Sequence, residues 1–363
     1  MPTTRPHPRI FLHGMLTALA IAAIALAGCG GGGGGGGGGG ESPGAATAPG
    51  TTPIPVTPVT TSPAPAPIPT NYPFATGELA AWNYLQAART ACGFGALVRD
   101  SRLDTASRAH ANYLIAETTG GNLTVGHTEP NLNNPFFTGN TPGDRAVFAG
   151  YGPAVSEILA ASTEFYRSTG PIVQTTPEAR GESGMRGLLN SVDHLRAAVS
   201  GARVGGVGIQ ASSQQTVADG ATSLTVNHRL GALLGFTEGT QLLGAGKVAT
   251  YPCAGSAGID YAFAPATEVP NPFREITDTR VNVGPPIYIR ADPNAVLSIN
   301  ARSLRSAAGV EQAVRLPTVT LGSHEYFIVP ASPLVPGARY TVRFAGTANG
   351  AAFDLSFSFT TRS

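Results

Sequence analysis

The chain has 363 residues, a formal net charge of +1 at pH 7, and only 12% charged residues. A charge balance this close to neutral, without a basic block, argues against nucleic acid as a partner. The length exceeds that of an average domain and the composition is uneven, so we expect several segments of different character.

The amino terminus predicts an export signal and a lipid anchor. Arg5 and Arg9 precede the apolar run Met15 to Ala27, a pattern typical of a signal peptide, here residues 1–28, and too short for a spanning helix. Leu26-Ala27-Gly28-Cys29 looks like a bacterial lipobox, which implies an exported lipoprotein whose acylated Cys29 is its membrane partner. We expect it in the outer membrane, facing the periplasm or the cell surface. The alternative is an ordinary secretory signal with an accidental cysteine.

Residues 29–73 are interpreted as a tether. A glycine run reaches Gly40, and a segment rich in proline, threonine and alanine follows from Glu41 to about Pro73. The first part is typical of a flexible coil, and the second favours extended polyproline II at ~3.1 Å per residue. Neither part can bury a core, so we expect a disordered spacer between the membrane and the folded residues.

The remaining two cysteines, Cys92 and Cys253, form an even pair in an oxidising compartment. A disulfide between them is therefore the default expectation. Two separately buried thiols are the alternative.

Two helices are predicted first, from Gly77 to about Ala91 and from Ser101 to about Glu117. In the second, His110 shares a face with Leu103 and Tyr113, so we interpret it as a hydrogen-bonded core histidine rather than a ligand.

A long polar loop follows, from Thr118 to Asn140, and it contains His127. A histidine in such a loop is a better site candidate than one in a helix stripe, because loops carry function on a rigid scaffold. The sequence Thr141-Pro142-Gly143-Asp144 predicts the start of a third helix, which Gly150 closes. Beyond it, Glu157 lies inside an apolar segment and needs a partner, because an unpaired buried carboxylate is costly.

A fourth helix is predicted from about Glu182 through Leu195. Within this stretch, Ser191 is a candidate N-cap of a short helix. A helix that begins there places His194 at its third position, where free backbone N–H groups favour the neutral imidazole. Strands are predicted at residues 204–211 and 224–230, joined by a polar segment. Gly206 and Gly208 leave one strand face bare, so that a ligand or another backbone could approach closely. Helices followed by paired strands indicate an α+β domain, which we place at residues 74–255.

The carboxy-terminal residues differ in kind. Six short alternating segments are separated by turn signals, with Asn349-Gly350 as the strongest hairpin turn. We predict an all-β immunoglobulin-like sandwich at residues 266–363. It offers no catalytic constellation, and its single histidine, His324, is expected to be solvated.

Four motifs, in order, resemble the CAP superfamily of cysteine-rich secretory, antigen and pathogenesis-related proteins, in particular its bacterial secreted branch. The resemblance spans about Phe74 to Cys253, and the matching stretches are Ser107-Arg108-Ala109-His110-Ala111, Gly126-His127, Ser156-Glu157-Ile158-Leu159-Ala160, Asn190-Ser191-Val192-Asp193-His194, and Val204 to Gly208.

This resemblance implies an α-β-α sandwich with a cleft in which His127, Glu157 and His194 converge, a site that binds zinc in some members. The three residues are thus our candidates for catalysis and for metal binding. The second cleft acid of eukaryotic members falls on Ser191 here, and Glu182 is the substitute candidate.

Three functions stay open at this point. The one we favour over an enzyme is a binding module whose cleft takes a lipid, a glycan or an envelope protein, as the resemblance implies for several branches of the superfamily. The second is a zinc-assisted hydrolase, in which two neutral imidazoles and a carboxylate hold the ion. The third is a structural adhesin with a vestigial cleft.

Overall fold

The structure, a computed structural model, describes residues 76–121 and 125–363. The predicted signal peptide, Cys29 and the tether lie outside these ranges. Within these ranges, no helix has the length and apolar character needed to cross a membrane.

Helices and strands alternate in the first part of the chain, and strands alone make up most of the last part. This mixed content agrees with the predicted α+β class. The helices are α1 (Thr76–Ala91), α2 (Ser101–Thr119), α3 (Pro142–Phe148), α4 (Pro177–Leu189) and α5 (Val192–Ala198), and the strands are β1 (Val98–Arg99), β2 (Val155–Ser168), β3 (Val204–Ala218), β4 (Ala221–Gly235), β5 (Ala249–Tyr251), β6 (Ile287–Arg290), β7 (Leu297–Ser306), β8 (Val314–Arg315), β9 (Glu325–Pro330), β10 (Arg339–Ala348) and β11 (Ala351–Thr360).

The predicted fourth helix is two helices, α4 and α5, separated at Asn190 and Ser191. The Ser191 hydroxyl donates to the carbonyl of Leu188 at 3.1 Å, and the Asn190 amide donates to the carbonyl of Ala262 at 2.8 Å. Both side chains thereby favour a break, because short polar side chains compete with helical backbone bonding.

The first sheet has four strands in the order β1-β3-β4-β2. Its hairpin of β3 and β4 is longer than predicted. The polar segment between the two predicted strands extends both strands to a tight turn at Asp219 and Gly220, where φ is 51° and 71°. This outer part of the hairpin is largely exposed, so its sequence carries no alternation of apolar and polar residues.

Helices cover both faces of this sheet. On one face the backbone of α2 lies against the bare glycines of β3: a Cβ on Gly206 would stand 2.2 Å from the amide nitrogen of Asp104, and one on Gly208 would stand 2.0 Å from that of Arg108. The close approach is therefore made by a helix backbone, not by a ligand. Side chains of α1 and α4, among them Trp82 and Met185, are fully buried on the other face.

Two further sheets, in the orders β11-β10-β7 and β5-β6-β9-β8, form the last part of the chain. The predicted hairpin turn joins β10 to β11, with φ of 49° at Asn349 and 80° at Gly350. β5 comes from the residues assigned to the first domain, yet its Thr250 pairs with Ile289 of β6. His324 is less solvated than predicted, because its side chain is only 20% exposed.

The predicted disulfide is present in the structure. The two sulfur atoms of Cys92 and Cys253 lie 2.13 Å apart, and their Cα atoms 5.3 Å. Because Cys92 follows α1 and Cys253 follows β5, the bridge joins the first helix to the strand that pairs with the carboxy-terminal sheets.

Candidate functional site

Glu157 has the partner that its apolar surroundings require. It lies on β2, and its two carboxylate oxygens receive Arg145 Nη2 at 2.7 and 2.8 Å. Arg145 comes from α3, whose capping box at Thr141 and Asp144 fixes the start of that helix. His127 Nδ1 lies 3.0 Å from Glu157 Oε2, so the loop histidine and the strand carboxylate are in direct contact.

Behind this pair lies a second buried acid, Glu129. Its Oε1 is 2.8 Å from His110 Nδ1 and 3.7 Å from Arg145 Nε, and all three side chains are fully buried. His110 Nε2 faces the carbonyl of Gly126 at 3.0 Å. Both ring nitrogens of His110 therefore face acceptors, which identifies it as the hydrogen-bonded core histidine that the sequence predicts.

These neighbours decide the ionisation of Glu157. Burial raises its pKa, but the hydrogen bond from His127 and the charges of His110 and Arg145 outweigh burial, so that its pKa lies below the usual value. Glu157 is thus an ionised carboxylate whose charge is neutralised inside the protein, and its side chain is only 1% exposed. Such an acid orients His127 and is poorly placed to accept a proton from a substrate.

His194 is placed at the third position of α5, as predicted. Its Nδ1 lies 2.8 Å from Ser191 Oγ, and because that hydroxyl donates to Leu188, it accepts from His194. This leaves Nε2 as the acceptor nitrogen. Burial, together with the charge of His127, lowers the pKa of His194 to about 4, so the imidazole is neutral at pH 7. Neutrality follows the expectation from sequence, although burial rather than the helix terminus is the main cause.

The acid that caps α5 is Glu268, which the sequence did not suggest. Its carboxylate accepts the backbone N–H of Val192 at 2.9 Å and that of Asp193 at 2.6 Å, and its Oε1 lies 3.6 Å from His194 Nδ1. The Ser191 side chain makes no capping bond. Burial raises the pKa of Glu268 to about 7, against the lowering effect of the backbone N–H groups.

His127 and His194 line one compartment of a cleft, with a volume of about 190 Å³. A second compartment of about 410 Å³ continues from His194 to His228, past Glu268. Leu159, Ala161 and Thr267 border both compartments, so the cleft follows the outer edge of β2 and passes His194 midway.

The three candidate residues therefore form a row of neighbours, from Glu157 through His127 to His194, rather than one cluster. His127 contacts Glu157, and His127 and His194 share the smaller compartment, whereas no contact of His194 with Glu157 is found in the parts of the chain that the structure describes. Glu182 pairs with Arg186 at 3.2 Å and borders neither compartment.

A zinc ion would need a different arrangement. Among residues 76–121 and 125–363, no group of three or more histidine, cysteine, aspartate or glutamate side chains is placed to hold a metal ion. The carboxylate of Glu157 is engaged by Arg145, and a guanidinium at that distance repels a dication. The residues as arranged do not fit a zinc centre, and zinc binding stays a prediction.

Sequence reasoning missed Arg145, Glu129 and Glu268. A signal existed for Arg145, since it lies directly after the predicted capping box and Glu157 needed a cation. Glu129 stands two residues after His127, in the same loop motif. Glu268 carries no such signal, because it lies outside the stretch that resembles the CAP superfamily.

A scan against protein-family models and a search of curated proteins both return no match.

Proposed function

We propose that this chain is an exported, envelope-anchored binding protein of the CAP type, whose cleft at His127 and His194 holds a lipid, a glycan or a protein ligand without chemical turnover. The observation that carries this proposal is the pairing of Arg145 with Glu157, because it commits the acid that contacts His127 to a structural ion pair. What remains accessible is a cleft bordered by imidazoles, with a volume typical of ligand sites when its two compartments are taken together.

The architecture supports the CAP type and the added sandwich. Helices cover both faces of the first sheet, and the motif residues His110, His127, Glu157 and His194 all border the cleft or the buried network behind it. Two separate sheets in the last part of the chain are compatible with an immunoglobulin-like sandwich. The anchor at Cys29 rests on the sequence alone.

Binding is tested with one probe of each ligand class: chitotetraose for glycans, palmitate for lipids and an extended decapeptide for proteins. Calorimetry on the purified full chain should detect saturable binding of at least one probe, and His194→Ala should remove it. His324→Ala, which changes a histidine outside the cleft, is the control. Absence of binding for all three probes would contradict the proposal.

The anchor is tested by cell fractionation. Cys29→Ser should move the protein from the membrane fraction to the soluble fraction, because the acyl chains that hold it can no longer be attached. A variant that stays with the membrane would argue against the lipoprotein.

A zinc-assisted hydrolase is the second candidate, and the observation in its favour is the free acceptor nitrogen of His194 beside His127. The hydrolase function requires Arg145 to release the carboxylate of Glu157. The adhesin alternative gains no observation beyond the carboxy-terminal sheets.

A further inference from the structure

His228, on β4, has no role in the site described so far. Its side chain is 4% exposed, it borders the larger compartment, and no hydrogen bond or ion pair of its ring is found within the described ranges. The ring nitrogens of His228 are not among the enclosed atoms without a partner, so they face the cleft and can meet a group that arrives from outside the chain.

A second polar group in the same wall is also unsatisfied. Asn190 borders the larger compartment and is 9% exposed, and its Oδ1 has no hydrogen-bond partner. Its amide nitrogen donates to Ala262, which fixes the oxygen as the free acceptor. The oxygen is nevertheless enclosed by the protein, so His194 Nε2 is the acceptor in this wall that a ligand donor can reach.

The charged groups near this compartment are engaged within the protein, Arg229 through the carbonyl of His228 and the hydroxyl of Thr118. Arg180, which lies close enough to His228 to affect it, pairs with Glu164 at 2.7 Å. Glu268 uses its oxygens to cap α5. Burial, followed by the charge of Arg180, lowers the pKa of His228 to about 4, so this imidazole is neutral at pH 7.

Hydroxyl groups add to the polar wall. Ser162 lies directly opposite His228 in the pairing of β2 with β4, and Ser183 and Thr267 also border the compartment. Ser183 donates to the carbonyl of Arg180 and Thr267 to that of Ala264. An acyl chain in this space would cover the exposed hydroxyl of Ser162 without offering it a partner, at the cost of its hydration. An anionic ligand would find no unpaired cation among the residues that border the compartment.

We infer that the cleft holds a second subsite at His228 and Ser162, and that the ligand it takes is an uncharged, hydroxyl-rich chain such as an oligosaccharide. This inference rests on the proposed function and names its ligand class. Sugar hydroxyls supply a donor for His194 Nε2, and they also accept from an imidazole N–H. The ligand lies along the edge of β2, from His194 to His228.

Calorimetry on the purified full chain tests the subsite with chitotetraose as the probe. His228→Leu replaces the imidazole by an apolar side chain of similar size, and Ser162→Ala removes a hydroxyl. Each variant should raise the Kd about three- to tenfold, which corresponds to one or two lost hydrogen bonds. Ser213→Ala, on the exposed part of β3, is the matched control and should leave the Kd unchanged. Ser162→Ala keeps the test valid if His228→Leu fails to fold.

Charge is tested with two probes of similar length, N-deacetylated chitotetraose as a cation and tetragalacturonate as an anion. Each should bind at least tenfold more weakly than chitotetraose. If chitotetraose binds the variants and the wild type equally, the subsite is wrong while the proposed function stands. If a charged probe or palmitate binds more tightly and depends on His194, the ligand class is wrong while the function stands. If none of these probes binds, the inference is overturned, and the proposed function fails as well only if the decapeptide also does not bind.

Discussion

Arg145 holds both carboxylate oxygens of Glu157, through one nitrogen at 2.7 and 2.8 Å, in a region where both side chains are withdrawn from solvent. This ion pair distinguishes between the two functions considered for these residues, hydrolysis and binding. A carboxylate free to act would suit hydrolysis, whereas a carboxylate committed to a buried guanidinium holds His127 in place. The ion pair therefore supports the proposed binding function over hydrolysis.

Removal of Arg145 should be strongly destabilising. Arg145→Met leaves Glu157 and Glu129 buried without their cation, and breaking a buried ion pair in this way costs about 3–5 kcal/mol. Urea unfolding measures the loss. Arg315→Met removes an exposed pair with Glu275 and should cost at most about 0.5 kcal/mol. Equal costs for the two variants would show that the network contributes no more than a surface pair.

Much of this site could be predicted from local pattern, and the rest depends on distant packing. The sequence around Thr141 predicted α3 because a capping box is a local signal. The need of Glu157 for a partner followed from its apolar neighbours. The identity of that partner did not follow, because the burial of Arg145 depends on α3 packing near β2, which no local pattern records.

Glu268 and the outer part of the β3–β4 hairpin illustrate two other limits of prediction from the sequence. Glu268 is separated by 75 residues from Asp193, whose N–H it accepts, so only the tertiary fold brings them together. The outer part of β3 was missed because both its faces meet solvent at residues 213–218, which removes the alternation that marks a strand. The break between α4 and α5 was missed because the apolar stripe continues across it.

Two of the three histidines in the CAP-like motifs, His110 and His194, should differ in their effect on stability. His110→Ala removes a fully buried ring with contacts to Glu129 and Gly126, and should cost about 3 kcal/mol through lost hydrogen bonds and a cavity. His194→Ala removes a ring at the cleft wall and should cost about 1 kcal/mol while it abolishes probe binding. Thermal unfolding and calorimetry on both variants check this. A reversed order would place His194 in the core and His110 at the site.

The disulfide should contribute strongly to stability. Its cysteines are separated by 161 positions, and loop-entropy arguments give about 4–5 kcal/mol as an upper figure for a loop of this length. The double variant Cys92→Ser with Cys253→Ser should unfold at a correspondingly lower urea concentration. Reductant should lower the midpoint of the wild type but not that of the double variant. Alkylation of both thiols without reductant would rule out the bridge.

Zinc content discriminates between the binding protein and the hydrolase. We expect the purified full chain to contain much less than one zinc ion per molecule, because Arg145 both engages Glu157 and repels a dication. Metal analysis by mass spectrometry provides the measurement. One ion per chain in the wild type, lost in His194→Ala but retained in His324→Ala, would instead favour the hydrolase.

The stability of the protein should depend on pH in opposite ways through His194 and Glu268. The folded pKa of His194 is lowered from 6.5 to about 4, so its contribution is fully present above pH 6.5 and is lost as the pH falls toward 4. The folded pKa of Glu268 is raised from 4.5 to about 7. Its contribution is therefore present below pH 4.5 and is lost as the pH rises through 7.

Glu268→Gln isolates the second effect, because glutamine keeps the size of the side chain and does not titrate. A shift from 4.5 to about 7 corresponds to roughly 3 kcal/mol at 1.36 kcal/mol per pH unit. Relative to the wild type, the variant should thus gain about 2–3 kcal/mol of unfolding free energy between pH 5 and pH 8, measured by urea unfolding at both values. Glu275→Gln, at an exposed carboxylate, should show no such gain. If the two glutamate variants respond alike, then Glu268 ionises as freely as a surface acid and its burial at the start of α5 does not control its charge.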